Sequence, residues 1–181
     1  MKEKIIFTGN CAWCLEAMFL RTRGVLEVES GFYSLEDYPE IAFSKTDKLE
    51  AVQLTYDNLM ISFEDLLSVY FITHNPTVNS WSAKESFYPL CRPAVFYFTE
   101  EQKDVLLEKM QKIQPEFELP LLTQVKQFKP DNFTLVEEKY RRFYENNPKD
   151  GYCLHNIDPK LAKMKNNLKH LFINLEVKGK D

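Results

Sequence analysis

A short apolar run, Lys4 to Thr8, ends at Gly9-Asn10, and the residues after it change period at once. Trp13, Leu15, Met18, Phe19 and Leu20 fall at spacings that give a helix one apolar face. A buried strand that turns straight into such a helix has to stack it on the sheet the strand joins, since neither buries its apolar face alone. Further strands are expected over Gly24 to Tyr33, Leu49 to Tyr56 (with a slip in the period between Ala51 and Leu54) and Ala94 to Phe98, with an edge strand over Leu119 to Phe128. Gly31 to Pro39 reads as an aromatic-rich loop and residues 77–91 as irregular. Ser62-Phe63-Glu64-Asp65 and Thr99-Glu100-Glu101-Gln102 resemble capping boxes. They open helices through Ile72, ending before Asn75-Pro76, and to about Ile113. A further helix is expected from Thr134 to Asn146. The turn-rich NNPKDGYC then leads into a lysine-rich segment, Pro159 to Leu175, with a thin apolar stripe.

Strands and helices are mixed without the regular alternation of a doubly wound sheet, so the expected class is α+β. At 181 residues the chain is long enough for one domain with a sizeable core, and one domain over 1–181 is expected, with about 147–181 as a C-terminal extension. No run approaches the roughly 18 apolar residues of a membrane span, and the opening MKEKIIF is too brief for a signal peptide, so a cytoplasmic protein is expected. The net charge of −4 argues against a nucleic-acid partner, which demands a concentrated basic face.

Of the four cysteines, Cys11 and Cys14 flank Trp13 at the start of the first helix. A thiol there meets unsatisfied backbone N–H groups and the positive end of the helix dipole, which favour a thiolate nucleophile. Two buried small residues, or a redox pair, would fit the same spacing. Zinc fits poorly: there is no second CxxC, and His74, His155 and His170 are not at ligand spacing.

GNCAWCLEAMF, Gly9 to Phe19, resembles the GCFWGxExxF signature of the A-type peptide methionine sulfoxide reductases. The likeness continues in order through YPEIAF (Tyr38 to Phe43), TDKLEAVQLTYD (Thr46 to Asp57), ISFEDLLSVYFITHNPT (Ile61 to Thr77), RPAVFY (Arg92 to Tyr97) and VEEKYRRFYENNPKDGYC near the end. The resemblance implies a two-layer α+β sandwich with a mixed or antiparallel, ferredoxin-like sheet and a C-terminal tail that carries a recycling cysteine. It implies that Cys11 attacks the sulfur of a methionine S-sulfoxide, free or in peptides. Glu50 would protonate the departing oxygen, Tyr38 would hydrogen-bond it, and Trp13 would wall the methyl pocket. Cys153 would then resolve the Cys11 sulfenic acid as a disulfide, which thioredoxin reduces. No bound cofactor or metal is implied, and a monomer is the simplest expectation.

Several positions depart from the family's pattern. Ala12 stands where it has Phe, which should widen the methyl pocket. Cys14 stands where it has Gly and could resolve in place of Cys153, while Lys48 stands where it has His, beside Glu50. Residues 78–91 lack the family's glycines, leaving Glu85 and Tyr88 as the nearest counterparts of its second acid and second tyrosine. Trp81 could refill the space opened at Ala12, and Cys91 reads as structural. These departures keep two further readings in view: a divergent member that binds or senses rather than reduces, and a CxxC thiol-disulfide oxidoreductase using Cys11 and Cys14.

Overall fold

The computed structural model describes residues 1–9, 11–42, 47–77 and 92–175. Alternation decides which face each strand residue takes. In β1 (Lys2–Thr8), Ile5 and Phe7 turn to one side of the sheet and Ile6 to the other. β3 (Lys48–Asp57) pairs antiparallel with β1 from Lys2↔Asp57 to Thr8↔Ala51. It sends Val52, Leu54 and Tyr56 into the first core and Leu49 and Ala51 into the second. The slip in the period of this segment is therefore a strand buried on both faces.

β2 (Val25–Ser34) pairs antiparallel with β3, β4 (Ala94–Tyr97) antiparallel with β1, and β5 (Gln124–Gln127) parallel with β4. With β6 (Phe133–Leu135) on the far side of β2, the described strands form one mixed sheet in the order β5-β4-β1-β3-β2-β6. The larger core lies between one face and the helices α1 (Ala12–Leu20), α2 (Phe63–Ile72) and α5 (Asp158–Asn167). The other face is covered by Leu35, Ile41 and neighbouring loop residues. The α+β class and the mixed sheet match expectation.

Both capping signals form. Ser62 Oγ accepts from the Asp65 N–H at 3.0 Å, and Thr99 and Gln102 make the reciprocal box that opens α3 (Glu100–Ile113). Among the described residues no helix is long and apolar enough to cross a membrane.

Three expectations need correction. β2 runs on to Ser34, so the loop begins later than Gly31. Thr134 to Asn146 is not one helix but β6, a 3-10 turn at Glu138–Tyr140 and the short α4 (Phe143–Asn146), separated by Arg142 at φ +50°. The edge of β2 claims Phe133–Leu135 across Gly31, where an added Cβ would collide with the Thr134 carbonyl and the Phe133 ring. The tail, finally, is not a loose linker at Cys153: that residue opens a π-helical turn, Cys153–Ile157, which runs into α5, and its side chain is fully buried in the main core.

The exit from β1 depends on Gly9, which has φ +116° and would place a Cβ 2.7 Å from Pro93 Cα. Gly9→Ala is expected to cost about 2 kcal/mol or more, because neither the backbone conformation nor the contacting backbone atom can give way cheaply. A urea unfolding midpoint compared with the parent protein measures this.

Candidate active site

The turn at Gly9 delivers Cys11 to the N-cap of α1 with φ −53° and ψ 133°, so its carbonyl accepts the first helical bonds, from the Cys14 N–H at 3.0 Å and the Leu15 N–H at 3.2 Å. The helix's free N–H groups seek an acceptor. Glu50 supplies it. Glu50 shares its face of β3 with Val52 and Leu54, the face on which α1 packs, and its Oε2 accepts from the Ala12 N–H at 2.9 Å. Strand alternation and the helix start thus bring a carboxyl next to the Cys11 backbone.

Beside this bond lies a cavity of about 500 Å³, lined by Cys11, Ala12, Trp13, Glu50, Phe32 and Tyr152 and closed on one side by Leu135 to Glu137 and Tyr140. Trp13 is fixed in it: the indole N–H donates to the Tyr140 carbonyl at 3.1 Å, the ring stacks on Phe143 at 3.7 Å between centroids, and its edge meets Tyr152 at 5.9 Å. Such a lining favours a thioether methyl over a polar group. Ala12 lines the cavity as a small residue, and Lys48 lies over the Phe32 ring at 4.7 Å, on the cavity wall.

The two thiols share one site. Cys11 is partly exposed, while Cys14 has no solvent contact. Their mutual hydrogen bond, together with burial and the nearby Glu50 carboxyl, pushes the Cys11 thiol far up. The same bond, with Lys160 and Tyr152, lowers Cys14 to about 6 against the burial that opposes it. The Lys160 ammonium stands 3.4 Å from Cys14 Sγ and the Tyr152 hydroxyl 3.7 Å from it. The pull of the helix dipole towards a Cys11 thiolate is thus opposed by the Cys14 hydrogen bond, burial and Glu50, while the hydrogen bond from Cys11 and then the Lys160 ammonium favour negative charge on Cys14.

The remaining expected residues divide. Cys153 neighbours this cluster in the core but does not line the cavity, and burial, then Asp150 and Asp158, raise its thiol to about 11. Tyr38 does not come to the cavity; its hydroxyl donates to the Gln127 carbonyl at 2.6 Å and its ring packs against Phe96 on the other face of the sheet. The turn from Leu35 to Ile41, buried in the second core, holds it there. Trp81, Glu85, Tyr88 and Cys91 lie outside the described residues.

Sequence reasoning missed Tyr152, Phe32, Tyr140 and Lys160. Tyr152 could have been found as the neighbour of Cys153 in GYC. Lys160 sits in a lysine-rich helix where nothing local distinguishes it.

The family model described as "Peptide methionine sulfoxide reductase" matches residues 3–171. A protein of Deinococcus radiodurans, "Peptide methionine sulfoxide reductase MsrA", is 36% identical over 171 residues, covering 91% of this chain and 81% of that protein. Among solved structures, reduced Mxr1 from Saccharomyces cerevisiae superposes with a TM-score of 0.70 at 21% identity, covering 84% of this chain and 89% of the other. Mxr1 in complex with Trx2 superposes with a TM-score of 0.55 at 20% identity, covering 76% and 83%.

Proposed function

Since the chain belongs to the peptide methionine sulfoxide reductase family, we propose that the cavity beside α1 is where methionine S-sulfoxide is reduced, with Cys11 as attacking sulfur and Glu50 as acid. The single observation that carries this assignment of residues is the 2.9 Å bond from the Ala12 N–H to Glu50, which sets a carboxyl beside the one cysteine among the described residues that lines the cavity. Cys11 Sγ attacks the sulfoxide sulfur as a proton from Glu50 reaches the oxygen, and the Cys11 thiol proton passes back to Glu50; the bond between the two sulfurs and the methionine S–O bond then break as the oxygen moves to Cys11, leaving a sulfenic acid and reduced methionine. Trp13, locked by its bonds to Tyr140 and Phe143, forms the wall for the substrate methyl.

A second thiol of the same chain, Cys14 or Cys153, condenses with the sulfenic acid. The disulfide and a molecule of water form together, and thioredoxin reduces the disulfide by exchange. The yeast relative seen in complex with Trx2 supports that partner.

NADPH consumption coupled through thioredoxin and its reductase, run with separated sulfoxide epimers, tests the reading. Turnover of the S epimer with little or none of the R epimer is expected; turnover of neither, or of both alike, would overturn it.

A further inference from the structure

Resting on that reading, we propose that Cys14 is the thiol that resolves the Cys11 sulfenic acid, and that Lys160 is the positioning residue that keeps the charge on it. Cys11 and Cys14 stand three apart across the first turn of α1, linked through the Cys14 N–H to the Cys11 carbonyl at 3.0 Å, and their thiols hydrogen-bond each other, so the two sulfurs are neighbours on one face. Lys160 reaches back from α5 to place its ammonium 3.4 Å from Cys14 Sγ, and Tyr152 sets its hydroxyl at 3.7 Å.

The groups that act on Cys14 from the elements around it are Cys11 at the N-cap of α1, Tyr152 and Cys153 in the tail and Lys160 on α5. Lys160 is the cation among them. Cys14 and Cys153 are both fully buried and neither lines the cavity, but Cys153 has no place in the first turn of α1 beside Cys11, and burial, then Asp150, Asp158 and Glu145, act against its ionisation. The ammonium beside Cys14 favours its thiolate, the form that attacks, while burial and the neighbouring carboxylates hold Cys153 up.

The step balances. The Cys14 thiolate attacks Cys11 Sγ, the S–O bond of the sulfenic acid breaks as the S–S bond forms, and the departing hydroxide takes a proton from solvent at the open mouth of the cavity to leave as water. The two electrons come from the two sulfurs, so the only oxidant is the sulfoxide already consumed. The resulting disulfide presents its partly exposed sulfur, Cys11, to an incoming dithiol and keeps Cys14, whose thiolate is stabilised, as the leaving group.

The test is a single turnover of the full chain without reductant, quenched with an alkylating agent and mapped by mass spectrometry. A Cys11–Cys14 disulfide is expected in step with methionine release. A Cys11–Cys153 disulfide as the first product would overturn the proposal, whereas absence of methionine would remove the reductase reading and this proposal with it. In Cys14→Ser the sulfenic acid should persist and be captured by dimedone; its disappearance at the parent rate would overturn the proposal.

Lys160 is tested by the rate of disulfide formation after methionine has been released. Lys160→Met should slow that step on the order of tenfold at pH 7 and raise its pH midpoint towards the ordinary cysteine value of about 8.5, with Lys160→Arg restoring both. An unchanged midpoint in a folded Lys160→Met, or a Lys160→Arg that behaves like it, would reduce Lys160 to a packing role and overturn its part.

Discussion

Serine in place of Cys11 is expected to bring methionine formation below detection, a loss on the order of 10⁴-fold or more. The reaction moves an oxygen atom and two electrons, and only a sulfur at this position can accept the oxygen; a serine hydroxyl is both a far weaker nucleophile and unable to be oxidised in the same way. The substitution exchanges sulfur for oxygen at the partly exposed N-cap of α1, where serine is a favoured capping residue, so the fold should persist. The measurement is methionine released per mole of protein, in the presence and absence of thioredoxin, alongside a circular dichroism spectrum. Multiple turnovers in a folded Cys11→Ser protein would end the assignment of Cys11. No sulfoxide reduction even by the parent protein would favour the reading in which the site binds or senses.

Glu50→Gln is the second large effect. Glutamine keeps an oxygen to accept the Ala12 N–H, so the start of α1 and the shape of the cavity are retained, but it offers no comparable acid to the departing oxygen. A positioned proton donor contributes on the order of 10²–10⁴-fold, and the loss should fall on methionine release in a single turnover rather than on the later disulfide step. If Glu50→Gln released methionine at the parent rate, the proton would have to come from elsewhere, and Tyr152, whose hydroxyl bonds to both thiols, would be the group to replace next.

Much of this site was legible because it is built from local rules. The run to Thr8 followed by Gly9 announced a strand and its exit, the spacing after Trp13 announced the helix, and Leu49 to Tyr56 read as a strand, although the face that Glu50 takes became clear only from the pairing with β1. What was not legible depends on partners far along the chain. Thr134 onward carries a helix-like start, yet an open strand edge beside Gly31 captures it. Lys160 becomes distinct from its lysine neighbours only when α5 packs on α1, 146 positions from Cys14. Tyr38 keeps a spacing from Glu50 that resembles the family's, but the second core holds its turn, and sequence spacing carries no information about that competition. The charge balance of the thiol pair was illegible for the same reason: the helix dipole is a local property, and the Lys160 ammonium beside Cys14 is not.

The complete burial of Cys14 bears on how long the protein survives idle among oxidants. Its sulfur, with the Lys160 ammonium at 3.4 Å and the Tyr152 hydroxyl at 3.7 Å, is closed to dissolved peroxides and electrophiles, and the partly exposed sulfur of the pair is Cys11, whose thiol burial and Cys14 hold up. Reactivity is thereby stored indoors and released only after a substrate has already put an oxygen on the doorstep. A repair catalyst arranged in this way is spared much of the damage it is there to undo.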